Sequence, residues 1–127
     1  MKKFLVLIAA GLGIALLAGC GSGNGVQTVD PKAFLTTAGQ AGTVVVDVRT
    51  PSEYAARHIQ GAINLDVEAS TFDAEIAKLD KNATYAVYCH SGRRSGLATD
   101  AMGKAGFTRV YNLSGESPIW PRPEGRS

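Results

Sequence analysis

A chain of 127 residues, 45% hydrophobic and 19% charged with a formal net charge of +2, has the length and composition of one globular domain and leaves no room for a second. It carries neither a basic stripe nor an aromatic-basic repeat, so nucleic acid is not an expected partner. Two cysteines, Cys20 and Cys89, are too few for a disulfide framework.

The chain opens with Met1-Lys2-Lys3, continues as an uncharged apolar run from Phe4 to Ala18 and reaches Gly19-Cys20. That run is shorter than the roughly 20 residues a bilayer-spanning helix needs, and it reads as a signal sequence. Leu17-Ala18-Gly19-Cys20 resembles the lipobox of bacterial lipoproteins. The resemblance implies that residues 1–19 are a signal peptide, that cleavage precedes Cys20, and that Cys20 receives lipid and anchors an exported protein to a membrane. Gly21-Ser22-Gly23-Asn24-Gly25 then reads as a flexible tether, giving residues 20–25 as anchor and linker and 26–127 as the folded domain. With Cys20 lipidated, Cys89 has no partner in its own chain.

Val26 to Val29 is expected as a short strand, followed by a helix with Asp30 at the N-cap, Pro31 at its first position, and Phe34 and Leu35 facing inward. Thr43 to Val48 is a continuous apolar run of the kind buried on both faces of a parallel sheet, interrupted only by Asp47. Thr50-Pro51-Ser52-Glu53 is a capping-box pattern opening a short helix to about Arg57. Gly61 to Leu65 reads as a strand, and Ser70 to Leu79 as a helix with Phe72, Ile76 and Leu79 on one side. Thr84 to Tyr88 is a strand leading into Cys89. The helix after it places Leu97, Ala98, Ala101, Met102 and Ala105 at helical spacing, and Arg109 to Tyr111 closes the series. Alternating strands and helices predict an α/β fold. In such folds the site lies beyond the carboxyl ends of the strands, where Asp47-Val48-Arg49 and the Cys89 loop would share one rim.

Cys89-His90-Ser91-Gly92-Arg93-Arg94-Ser95 puts a single thiol at a strand-to-helix turn. The first amides of a helix lack intrahelical partners and carry the positive end of its dipole, so an anionic sulfur is favoured there. Arg93 and Arg94 act in the same sense. No carboxylate lies between Asp80 and Asp100, so the local sequence is of one sign.

Several motifs, in order, make the chain from about Val26 to Trp120 resemble a rhodanese domain. Asp47-Val48-Arg49, Glu53-Tyr54, His58-Ile59, Gly61-Ala62 and Asn64 resemble that family's first signature. Cys89, Gly92, Arg94 and Ser95 resemble its active-site loop, and Gly106-Phe107, Val110, Leu113, Gly115 and Trp120 its C-terminal part. The resemblance implies a mostly parallel central sheet of about five strands with helices on both faces. It also implies a sulfurtransferase: Cys89 takes the outer sulfur of a sulfur-oxyanion donor such as thiosulfate, holds it as a persulfide and passes it to a thiol or cyanide. The loop amides would surround the persulfide, with Gly92 supplying the backbone freedom, and neither metal nor cofactor is needed.

Arg94 is expected to make either an anion contact or a salt bridge near the loop. His90 and Arg93 stand at variable positions, each expected either to meet the donor or acceptor or to be a solvated side chain, and Ser91 completes the loop. Asp47 and Arg49 read as a structural ion pair supporting the loops, with direct substrate contact as the alternative. Glu53 reads as the partner of Arg49 or as the capping-box carboxylate, His58 as a hydrogen-bonded structural histidine, and Tyr54 and Trp120 as packing aromatics. Three departures stand out: Arg57 and Gln60 where glycine and proline are common, Glu116 for the second glycine of a pair, and a short polar tail. A cysteine phosphatase or arsenate reductase would need arginine at the sixth position after the cysteine, where this chain has Ser95. A membrane-tethered persulfide carrier or docking module, working with a redox or sulfur-relay protein, is the alternative to an enzyme; turnover separates the two.

Overall fold

In the computed structural model, which describes residues 25–115, the expected alternation forms an α/β fold. The order is β1 (Val26–Val29), α1 (Pro31–Ala38), β2 (Thr43–Asp47), α2 (Pro51–Ala56), β3 (Ile63–Asn64), α3 (Phe72–Ala77), β4 (Thr84–Tyr88), α4 (Arg93–Lys104) and β5 (Val110–Leu113). The strands form one five-stranded sheet in the order β1-β5-β4-β2-β3, and every pairing is parallel. Asp47 of β2 lies opposite Tyr88 of β4, so the carboxyl ends of these central strands are side by side. The Asp47-Val48-Arg49 corner and the Cys89 loop therefore share a rim.

Alternate residues of the strands face opposite sides of the sheet. Val46, Tyr85, Val87 and Val110 pack with Phe72 and Ile76 of α3 and with Ala98 and Met102 of α4. On the other side Val45, Ala86, Tyr88 and Leu113 pack with Phe34 of α1. Helices thus cover both faces, which is why β2 and β4 are apolar at nearly every position. Two local signals start helices as expected. Asp30 accepts a 2.8 Å bond from the N–H of Ala33, a cap worth ~1 kcal/mol, and Thr50 and Glu53 close a complete capping box on α2.

The element boundaries differ in detail. β3 is two residues long rather than the five of Gly61 to Leu65, because Gly61 is in a left-handed turn and Tyr54 Oη takes the carbonyl of Ala62. β5 runs two residues past Tyr111 and starts at Val110. The helix expected over Ser70 to Leu79 is regular only over Phe72–Ala77, although Phe72 and Ile76 are buried as expected and Leu79 packs against the core. Leu35 and Leu97 are corrections: both are exposed, because the neighbouring Phe34 and Ala98 occupy the inward stripe of their helices. Among the described residues no helix is long and apolar enough to cross a membrane. The expected signal peptide, Cys20, Glu116 and Trp120 lie outside the described residues.

Candidate active site

Cys89 follows the last residue of β4, and α4 begins at Arg93, so the thiol sits at the strand-to-helix turn expected from the sequence. Its Sγ accepts hydrogen bonds from the N–H groups of Gly92 at 3.0 Å and Ser95 at 3.3 Å. The thiol lies 3.5 Å from Ser95 Oγ, which donates to the carbonyl of Gly92 at 3.2 Å. Burial pushes the Cys89 thiol up. The Ser95 hydroxyl and the amides of Ser95, Gly92 and Ser91 outweigh burial, and the net shift is downward from the ordinary thiol value. A thiolate is therefore favoured by donors already aimed at it.

Gly92 is held at φ +96°, and a Cβ there would lie 3.0 Å from the backbone nitrogen of Gly115. Both the turn and the close approach of the two loops require glycine. Ser95 is fully buried, Gly92 and Arg94 are half-buried, and His90, Ser91 and Arg93 are exposed at the rim.

Asp47 and Arg49 form the expected buried ion pair. Arg49 Nη2 lies 2.7 Å from Asp47 Oδ2, its Nε is 3.0 Å from Oδ1, and its own N–H donates to Oδ1 at 2.9 Å. Tyr88 Oη donates to Asp47 Oδ2 at 2.7 Å and accepts from the N–H of Ile59 at 2.9 Å. Burial acts to lower the pKa of Arg49, but the hydrogen bonds and charge of Asp47 reverse this and raise it. Burial is also the main cause of the upward shift of Tyr88, so its hydroxyl remains a donor. Arg49 also donates to the carbonyl of Arg57, which ties the end of α2 to the sheet.

Arg94 makes a salt bridge, one of its two expected roles. Its Nη1 is 2.8 Å from Glu53 Oε1 and its Nη2 is 3.2 Å from Oε2, with Glu68 3.9 Å from Nη1. The loop is thus not surrounded by one sign of charge, as the local sequence suggests: folding brings two carboxylates to it. Glu53 keeps its capping-box role but pairs with Arg94, not with Arg49. The Arg94 hydrogen bond is the main cause that holds the Glu53 carboxyl down at about 2; partial burial opposes it and the N–H and hydroxyl of Thr50 reinforce it. Glu53 in turn raises Arg94. His58 is structural, as expected, with Nδ1 2.7 Å from the carbonyl of Tyr54 and its ring stacked on Tyr54 at 3.7 Å.

Sequence reasoning missed Tyr88, and it named Asn64 within the first signature without assigning it a role. The Nδ2 of Asn64 donates to the carbonyls of Asp47 and Arg49 at 3.0 and 2.9 Å, where the ladder of the two-residue β3 ends. A tyrosine in a strand buried on both faces was the available signal, since its hydroxyl must find a partner. Among the described residues no group of three His, Cys, Asp or Glu side chains could hold a metal ion.

The family model of the rhodanese-like domain matches residues 30–120, which span most of the chain and the whole of this site. The chain belongs to the rhodanese family. Among rhodanese relatives, the chain is 40% identical over 81 residues to the thiosulfate sulfurtransferase PspE of Escherichia coli strain K12, covering 63% of this chain and 78% of that protein. It is 40% identical over 94 residues to the thiosulfate sulfurtransferase GlpE of Pseudomonas entomophila strain L48, covering 74% and 84%. A solved structure described as rhodanese with anions from E. coli superposes with a TM-score of 0.52 at 37% identity, over 65% of this chain and 99% of that one.

Proposed function

We propose that the chain is a rhodanese-type sulfurtransferase that moves a sulfane sulfur from thiosulfate, or a similar donor, to a thiol or cyanide through a persulfide on Cys89. The observation that carries this reading is the convergence of the Gly92 and Ser95 amides on Cys89 Sγ. The two thiosulfate sulfurtransferases at 40% identity support the donor. In the first half-reaction the Cys89 thiolate attacks the outer sulfur of thiosulfate. The new S–S bond forms as the old one breaks, and sulfite leaves with the bonding pair. In the second, cyanide or a thiolate attacks the outer sulfur of the persulfide, the S–S bond breaks with its pair returning to the Cys89 thiolate, and the outer sulfur departs on the acceptor as thiocyanate or an acceptor persulfide. No oxidant is consumed, and the charge stays near the loop amides throughout. His90 and Arg93, exposed beside the loop, are positioned to meet donor and acceptor.

Thiocyanate production from thiosulfate and cyanide, with intact mass recorded after thiosulfate alone, tests this. The wild type should turn over and gain about one sulfur (~32 Da), and Cys89→Ser should do neither while remaining folded. A mutant that still turns over would overturn the mechanism. A mass gain without turnover would make the protein a persulfide carrier.

We further propose that residues 1–19 direct export and that lipid on Cys20 anchors the domain to a membrane, on the outer face of the cytoplasmic membrane or in the periplasm. The basic start, the apolar run from Phe4 to Ala18 and Leu17-Ala18-Gly19-Cys20 support this. Cys20→Ala should move the chain from the membrane to the soluble fraction of a fractionated cell, and an unchanged distribution would refute it.

A further inference from the structure

Cys89 is flanked in sequence by two residues that reach across to one corner of the fold. On one side Tyr88 donates to Asp47 at the end of β2; on the other, Arg94 reaches Glu53 in the first turn of α2. Each bridge spans 41 residues of sequence, and the five residues Cys89 to Arg93 hang between them. The carboxylate of Glu53 is heavily used. Its Oε1 accepts from Arg94 Nη1 at 2.8 Å, from the N–H of Thr50 at 3.0 Å and from Thr50 Oγ1 at 3.0 Å, while Oε2 accepts from Arg94 Nη2 at 3.2 Å. Glu53 makes no contact with the sulfur. Its partner Arg94 lies between the two residues whose amides matter here, one after Arg93 and next to Ser95.

We propose that Glu53 is a positioning residue for sulfur transfer: through the two-point bond to Arg94 it fixes the first turn of α4, so that the amides of Gly92 and Ser95 converge on Cys89 Sγ. This rests on Cys89 being the reacting sulfur. A bidentate carboxylate–guanidinium pair fixes direction as well as distance, and α2 is itself held to the sheet through Arg49 and Asp47. The constraint acts on orientation, because amide–sulfur bonds at 3.0 and 3.3 Å weaken steeply once the first turn of the helix rotates. The same pairing fixes the Arg94 guanidinium on Glu53, with Glu68 beside it. The exposed Arg93 is then the guanidinium that meets a donor anion.

Glu53→Gln is the informative variant. Glutamine still completes a capping box, so α2 keeps its start while the ion pair to Arg94 is lost. The full chain carrying Cys20→Ser, held in detergent so that Cys89 is its single thiol, is alkylated with iodoacetamide across a pH series. Alongside this, kcat and KM for thiosulfate are measured and thermal unfolding is recorded. In Glu53→Gln the pH midpoint of alkylation should rise by about one unit and kcat near neutral pH should fall ~10-fold, with KM changed less than threefold. Arg94→Gln should show the same rise, and the double variant no more than either single one. An unchanged alkylation midpoint in a folded Glu53→Gln protein would overturn the proposal, as would additive effects of the two substitutions. Alkylation needs no turnover, so it reads the role of Glu53 even if thiosulfate proves not to be the donor.

Discussion

Asp47→Asn separates a structural carboxylate from one that meets substrate. Asp47 is fully buried, and its two oxygens accept from the backbone and guanidinium of Arg49 and from Tyr88 Oη. An asparagine fits the space but brings one NH₂ group. If its oxygen stays on the backbone N–H and Nε of Arg49, the NH₂ faces Nη2 at the position now 2.7 Å away, a donor against a donor. The Arg49 side chain, only 6% exposed, loses the charge of Asp47. Breaking a buried pair from one side costs ~3–5 kcal/mol, a large part of the ~5–15 kcal/mol that holds a domain together. For a domain of this size that lowers Tm by at least ~12 °C. The assay is urea and thermal unfolding followed by circular dichroism, with KM for thiosulfate measured at a temperature where the variant is folded. A loss below ~1 kcal/mol would refute the buried-pair account. So would a variant of unchanged stability whose KM rises more than tenfold, because that would place Asp47 against the donor.

Three further outcomes follow from the same geometry. Gly92→Ala forces a side chain into a left-handed conformation 3.0 Å from Gly115 N, and should cost ~1–2 kcal/mol in denaturant unfolding and lower kcat/KM at least tenfold; an active, fully stable variant would contradict the close approach of the loops. Glu53 has its folded-state pKa lowered from 4.5 to about 2, so its contribution is complete above pH ~4.5 and is lost as the pH falls towards 2. With its side chain 37% exposed the contribution is discounted to ~1 kcal/mol, and the stability gap between wild type and Glu53→Gln, measured by urea titration, should narrow by that amount between pH 5 and pH 2.5; a constant gap would refute the ion pair as its source. Arg93→Ala should raise KM for thiosulfate about three- to tenfold with little change in kcat, and added salt should erase the difference; a salt-independent defect would exclude anion steering.

The parts of the fold that were legible rest on local chemistry. Asp30-Pro31 and Thr50-Pro51-Ser52-Glu53 carry their caps within four residues, and the apolar runs of β2 and β4 declare burial on both faces. The sulfur's donors were legible for the same reason: the amides of Gly92 and Ser95 lie three and six residues from Cys89. What escaped is what folding brings together. Tyr88 with Asp47 and Arg94 with Glu53 are each 41 residues apart, and no spacing rule relates residues on different elements. The pairing of Arg94 is therefore open in the sequence, and Glu53 reads there as the partner of nearby Arg49 or as the capping-box carboxylate, of which the structure bears out the second. β3 is shorter than the run Gly61 to Leu65 because Gly61 turns in the left-handed region and the Tyr54 hydroxyl takes the carbonyl of Ala62 just before the strand.

The placement of the arginines also bears on the chemistry the loop can perform. A cradle for a whole tetrahedral oxyanion needs an arginine inside it to neutralise the anion, and a loop long enough to surround it. Here the arginine that ends the loop points outward onto Glu53, and the next position is Ser95, whose hydroxyl is 3.5 Å from the thiol. The interior of the loop is lined by the neutral N–H donors of Gly92 and Ser95, already within bonding range of one sulfur atom. Such donors stabilise a single negative charge on sulfur in the resting thiolate, and a short movement carries that charge to the outer atom of a persulfide. They offer no guanidinium to the oxygens of a phosphate or arsenate. In this division of work neutral donors serve the sulfur while the charged side chains of the rim, Asp47 with Arg49 and Glu53 with Arg94, are paired with each other to hold the frame. This favours sulfane-sulfur transfer over oxyanion ester hydrolysis on the geometry of the loop alone.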